Sequence, residues 1–337
     1  MNKNIKSIIQ FSFFLGLGIF LVYYAFSGLS ANQIETVKQS FYSANYWWIG
    51  LGIIISTLSH ISRAYRWKML LQPTGHNPKL YNSFFAVMIG YLANLAFPRL
   101  GEVSRCTVLV KNEKIPFSTS FGTVITERII DTLTWFLLLI ITIITQFDTL
   151  YGFLNNDVIQ PLQTKFSGLL NNIILIVTLA LLGVIAISTL IIFRNKILAI
   201  PIIKKVLDVL KGFIDGLLSV KKLERPWVFL MHTVFIWLGY ILVAYVSLFC
   251  MPQTAGSGFS SAIAIIAFAT FAVVATQGGI GAYPLLVMQV LFLYGVDKIS
   301  GLAFGWIIWS AQALQSIIYG FLSMILLSLI NKEKLNN

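Results

Sequence analysis

Three short clusters place charged or backbone-exposing residues inside otherwise apolar stretches of this 337-residue sequence. The first is Asn94, Pro98, Arg99, Glu102 and Arg105. Proline ends a helix, so Glu102 and Arg105 fall in the opening turns of the next one. Free backbone N–H groups and the positive end of the helix dipole favour an anion there. Arg99 and Arg105 together outweigh Glu102 by one positive charge. Two readings follow: a salt-bridged hairpin tip without a ligand, or a site for an anionic headgroup.

The second cluster is Glu127, Arg128 and Asp131. Glu127 and Asp131 are four residues apart and share a helix face, with Arg128 beside them. Two carboxylates near one arginine need another cation, and Arg99 or Arg105 can supply it. This is either a charge network pinning hairpin to span or a relay for protons or headgroups. The third cluster is Gln277-Gly278-Gly279-Ile280-Gly281-Ala282-Tyr283-Pro284. Its glycines permit positive φ and close backbone approach, as a ligand cradle or a tight helix crossing requires. Arg63 and Arg66, with Trp67 and Lys68, close a hydrophobic segment, where anchoring at the membrane interface is expected.

Other chemistries find no residues. His60 and His232 have no second ligand at metal-binding spacing and are expected to pack. Nucleotide loops, nucleophile elbows and acidic metal motifs are missing, so neither catalysis nor a cofactor is expected. Cys106 and Cys250 stand far apart and build no disulfide framework.

The elements that must carry these clusters are membrane helices. Hydrophobic residues make up 57% of the chain and charged residues 11%, at a mean hydropathy of +0.83. Soluble domains carry roughly 25% charge, so lipid must be part of this chain's solvent. The net charge of +12 comes largely from basic flanks of apolar runs, which report orientation and not nucleic-acid binding. Six runs are long enough to cross: 8–27, 47–69, 117–146, 172–193, 227–250 and 302–330. The first is longer than the 7–15 apolar residues of a signal peptide, so Gly28-Leu29-Ser30 is not expected to be cleaved.

Two further stretches, 81–109 and 260–295, break at the first and third clusters and read as re-entrant hairpins. With a cytoplasmic N-terminus, 18 of the 24 Lys/Arg are cytoplasmic, three lie on the far side, and Arg99, Arg105 and Arg128 lie in the membrane. That bias predicts both termini inside. The 81–109 hairpin then enters from the cytoplasm and the 260–295 hairpin from outside, as in an inverted pseudo-repeat. Within 197–222, Ile203, Val206, Leu207, Leu210, Phe213, Ile214 and Leu217 fall on one face, which predicts an amphipathic helix on the inner leaflet. The whole chain, 1–337, reads as one transmembrane domain: an all-α, polytopic protein of about six full spans plus two hairpins.

At these residues the sequence resembles the transmembrane region of lysylphosphatidylglycerol synthases, the flippase-like or UPF0104 membrane family. The matching motifs are Arg63-x-x-Arg66-Trp67, Asn94-x-x-x-Pro98-Arg99-x-Gly101-Glu102-x-x-Arg105, Glu127-Arg128-x-x-Asp131 and Gly278-Gly279-Ile280-Gly281, in that order. The resemblance implies a bacterial inner-membrane protein that moves lipid. The best understood members flip an aminoacylated phospholipid, and others are linked to polyprenyl-phosphate or glycan-lipid handling. Family members usually carry proline before the paired glycines and glutamate shortly after, where this chain has Gln277 and Pro284. The aminoacyl-transferase domain of the synthases does not follow before Asn337, so lipid lysylation by this polypeptide is not expected.

The expected function is a lipid flippase for an anionic, aminoacylated or polyprenyl-linked lipid. Its headgroup contacts would come from Asn94, Arg99, Glu102, Arg105, Arg128, Gln277, Gly278, Gly279, Gly281 and Tyr283, with Glu127 and Asp131 as the charge network. Rivals are a proton-coupled carrier of a small anion, or a membrane enzyme or accessory subunit in lipid-linked glycan metabolism. Expected partners are a membrane lipid and either a second copy or a separate lipid-modifying enzyme.

Overall fold

Where no water reaches the backbone, each helix must satisfy its own N–H and C=O groups, and every regular element among the described residues is helical. The structure, a computed structural model, describes residues 3–97, 100–153, 155, 160 and 223–336. The expected span 172–193, the expected amphipathic helix 197–222, and Pro98 and Arg99 lie outside the described residues.

The chain forms two compact units, Met1–Ile144 with Val220–Asn337, and Thr145–Ser219. Described within the second is α7, Phe147–Phe153, in which Phe147 stacks on Tyr151 at 5.6 Å. The first unit holds α1 (Lys3–Ser27), α2 (Ala31–Ser43), α3 (Tyr46–Leu71), α4 (Leu80–Ala96), α5 (Leu100–Glu113) and α6 (Phe117–Thr145). It continues with α8 (Pro226–Leu248), α9 (Gly258–Ala275), α10 (Ala282–Leu293) and α11 (Lys298–Asn336).

Three of the expected crossing segments coincide with described helices long and apolar enough to span alone: α6, α8 and α11. The 8–27 segment is met by α1, but its part Leu15–Ser27 bends by 112° into α2. The bend is fixed by Ser30 and Gln33, each accepting from the other's backbone N–H in a capping box. The 47–69 segment is met by α3. At 26 residues it is about 39 Å long, but Ser56, Ser59, Ser62, Arg63 and Arg66 are buried along it and dilute its apolar character.

The two broken stretches fold as helix pairs. Neither α4 (17 residues) nor α5 (14 residues) reaches the ~20 residues of a full crossing. They run back on each other, because Glu113 at the end of α5 accepts hydrogen bonds from Lys79 N (3.0 Å) and Asn82 Nδ2 at the start of α4. In the second pair, the Tyr294 hydroxyl after α10 faces the Ser260 carbonyl of α9 at 3.5 Å. The α4–α5 pair hangs from the end where α3 finishes. The α9–α10 pair hangs from the end where α8 finishes, and there Asn45 N donates to Cys250 O at 2.8 Å.

Small residues let these pieces approach. Ala262, Ala264, Ala267 and Ala269 on α9 are fully buried. On α11, Gly305 faces the Pro284 backbone so closely that an added Cβ would sit 2.7 Å from Pro284 Cα.

Asp297 caps α11 by accepting from Ile299 N (3.0 Å) and Ser300 N (2.9 Å). Burial pushes its carboxyl up, but the bonds from Ser300 and Ile299 outweigh this and hold it below the usual carboxylate value. A depressed folded-state value means the cap stabilises above the unfolded pKa and is lost as pH falls through the folded one. Asp297→Ala should therefore cost about 1 kcal/mol at neutral pH. In thermal unfolding at several pH values, that difference from wild type should shrink below about pH 4.

Candidate functional site

The charged residues meet where α3, α5, α6 and α8 converge. Arg63 and Arg66, three apart on α3, share a face and aim both guanidinium groups at α6. Arg63 Nη1 lies 2.7 Å from Glu127 Oε1 and 2.7 Å from Asp131 Oδ2, and its Nη2 donates to the Tyr240 hydroxyl at 3.1 Å. Arg66 Nη2 reaches Asp131 Oδ1 at 2.6 Å and Glu127 Oε1 at 3.4 Å, while its Nη1 donates to Thr233 Oγ1 at 3.1 Å. From α5, Arg105 Nη2 bonds Glu127 Oε2 at 2.7 Å, with its guanidinium 3.8 Å from the Trp67 ring centroid. Trp67 is itself fixed by donating to Thr123 Oγ1 at 3.0 Å.

Glu127 and Arg66 are 0% exposed, Arg105 3%, Arg63 4% and Asp131 7%. Three buried arginines thus face two buried carboxylates, which leaves one positive charge without a counter-charge among the described residues. The Nε atoms of Arg63, Arg66 and Arg105 are shut off from solvent and have no hydrogen-bond partner among the described residues. Desolvated donors without acceptors are costly, and an excess buried cation more so.

Two sequence expectations change here. Arg63 and Arg66 were expected as interfacial anchors. They are instead the centre of the network, because carboxylates more than sixty residues away on α6 give them partners inside. Glu102 was expected to be neutralised by Arg99 or Arg105, whereas its partner is Arg128, at 2.9 Å. That pair lies beside the network on the α5–α6 seam, with side chains 41% exposed for Arg128 and 21% for Glu102. Thr233 and Tyr240 of α8 give no sequence signal, since a hydroxyl in an apolar helix carries no distinguishing spacing.

The hairpin tips touch each other. Gln277 Nε2 donates to Leu95 O at 3.0 Å and also to Ala96 O, at the end of α4. Gly278 (φ 59°) rests against Leu95, and its carbonyl accepts from Trp309 Nε1 at 2.8 Å. Gly281 (φ 69°) packs on α1, where an added Cβ would lie 2.7 Å from Gly18 O. Gly279 (φ 77°) turns the chain over Tyr283, which is buried. Asn94 Oδ1 accepts from Gly101 N at 2.7 Å and caps α5.

Tip contact and ion network are neighbours one helical turn apart along α5, from Gly101 to Arg105. The amide of Gln277 is spent on α4 carbonyls and not on an arginine. His60 sits 3.1 Å from Ser56 Oγ and packs on Tyr91, and His232 bonds Ser62 at 2.8 Å and packs on Tyr65.

Residues 11–320 match the family model described as the lysylphosphatidylglycerol synthase TM region. A UPF0104 membrane protein from Methanocaldococcus jannaschii is 28% identical over 134 residues, which is 39% of this chain and 37% of that protein. No solved structure matches.

Proposed function

The chain belongs to the lysylphosphatidylglycerol synthase transmembrane-region family, and from that premise we propose that it is a lipid translocase. The cargo is an anionic or aminoacylated phospholipid, or a polyprenyl-linked lipid, moved across the bacterial inner membrane. The observation that carries this reading is the positive excess of the buried network, with three arginine Nε atoms unpartnered. A phosphodiester brings one negative charge and oxygens suited to guanidinium forks, while its acyl chains stay in the bilayer. Neither a nucleophile nor a metal is needed to hold it, so the chain is read as a carrier and not an enzyme.

Both termini are read as cytoplasmic. With Arg63 and Arg66 moved into the network, sixteen Lys/Arg remain on that side against three outside, still a strong bias. Attachment of the two hairpins at opposite ends supports the inverted pseudo-repeat, and their touching tips support a single translocation route. Gln277, standing where the family usually has proline, supplies the amide that ties one tip to the other. A second copy or a separate lipid-modifying enzyme is the partner expected beside the cargo.

Leaflet-resolved lipid movement in proteoliposomes tests the proposal. Purified protein should speed transfer of labelled phosphatidylglycerol or a polyprenyl phosphate at least tenfold over empty vesicles, with phosphatidylcholine slower. Equal rates with and without protein for all three lipids would overturn it. Flux of a small anion in the same vesicles, without lipid movement, would select the anion-carrier rival.

A further inference from the structure

Two ion pairs cross the α5–α6 seam side by side. Glu102 and Arg105 are three apart on α5 and share its face, and Glu127 and Arg128 are consecutive on α6. The inner pair, Arg105–Glu127, is buried, whereas the outer pair, Arg128–Glu102, is partly exposed. At this same place Arg105 Nε, Arg128 Nε and Glu102 Oε2 all lack hydrogen-bond partners among the described residues while being shut off from solvent. Arg105 is 97% buried by the measure of its 3% exposure, so its idle donor is not a solvated surface group.

The outer pair alone adds little stability, as partly exposed ion pairs generally do. Its carboxylate does not need Arg128. Glu102 lies in the first turn of α5, where the helix dipole and free N–H groups already favour a negative charge. Arg128 is therefore the one guanidinium of the group that can change partner without stranding one of the two deeply buried carboxylates, Glu127 and Asp131. A phosphate oxyanion entering along the seam would take the Arg128 fork, and its charge would cancel the network's excess.

We propose that Arg128 exchanges between Glu102 and a phosphodiester oxyanion of the cargo. Glu102 then acts as a tethered competitor that sets affinity and assists release. This rests on the lipid-carrier reading and adds to it a residue that tunes selectivity for a singly anionic headgroup.

Equilibrium binding to the full chain in detergent tests it. The ligands are short-chain phosphatidylglycerol, short-chain phosphatidylcholine and inorganic phosphate. Glu102→Gln should tighten phosphatidylglycerol binding about tenfold, Arg128→Gln should weaken it about tenfold, and Glu102→Gln should do nothing in the Arg128→Gln background. Glu102→Asp, which keeps the charge but shortens its reach, should give a smaller shift in the tightening direction. Unchanged or weaker binding by folded Glu102→Gln overturns the exchange, as does failure of both Glu102 variants to purify folded, which would make the pair a structural tie. Inorganic phosphate binding as tightly as the lipid, with the same mutational pattern, upholds the exchange and removes the lipid as its source. Normal lipid transfer in proteoliposomes with affinity indifferent to Glu102 overturns the exchange and leaves the carrier reading standing.

Discussion

Glu127→Gln is expected to destabilise the helical core by about 3–5 kcal/mol, the cost of breaking a buried ion network from one side. Glu127 is fully buried and is the residue that all three inward arginines share. Glutamine keeps its volume and one acceptor oxygen, so the substitution removes charge with little change in packing. Three guanidinium groups would then face Asp131 alone, and the uncompensated charge would rise from one to two.

The thermal midpoint of purified protein, read as loss of monodisperse elution after heating, should fall sharply. Thr132→Ser, one residue past Asp131, keeps the hydroxyl that bonds Arg128 O at 2.7 Å and should be silent. Adding Arg105→Gln to Glu127→Gln should recover part of the loss, since it removes one of the stranded cations. Equal midpoints for Glu127→Gln and Thr132→Ser would mean that the carboxylate is hydrated and that no dry network exists.

The sequence made some of this visible and hid the rest for reasons that are physical. Proline at 98 and the glycines at 278, 279 and 281 interrupt apolar runs, and an interruption of that kind forces a turn wherever the chain folds. The pairing of Glu127 and Asp131 on one face is likewise local, a consequence of helical spacing. Partner choice is not local. Arg63 and Arg66 close a hydrophobic segment in the manner of interfacial anchors, and only the approach of α6 and α8 turns them inward. Glu102 has a cation one turn away in Arg105 and another across the seam in Arg128, and spacing alone favours the wrong one.

Helix α2 is polar and leaves no hydrophobic run in the sequence. Its signal was the Ser30-x-x-Gln33 capping box, which needs no apolar residues. Each broken tip is short of partners for its backbone, and Gln277 on the Leu95 and Ala96 carbonyls meets that need.

Gly101→Ala should separate α4 from α5 and disturb both tip and network. A Cβ at position 101 would overlap the Gly90 carbonyl oxygen and come within 2.6 Å of the Asn94 side chain. The first obstacle is backbone in the middle of α4 and has no rotamer to change, so the helices themselves must move apart. Asn94 would also be pushed off Gly101 N, leaving the first turn of α5 without its cap.

Overpacking of this kind costs about 1–3 kcal/mol or more, and the lost cap adds about 1 kcal/mol. Gly90→Ala meets the same crossing more gently, with Gly101 O at 3.0 Å and Arg105 Cβ at 3.6 Å. Val103→Ala acts on an exposed side chain and should be nearly neutral. Thermal midpoints should therefore fall in the order Val103→Ala, Gly90→Ala, Gly101→Ala, with the last lowest. Arg105 follows Gly101 by about one turn, so any shift of α5 lengthens its 2.7 Å bond to Glu127. Lipid transfer should then fall with stability in Gly101→Ala. A wild-type midpoint in that variant would mean that α4 and α5 do not cross at Gly90 and Gly101, and the close crossing would no longer account for how Arg105 is positioned.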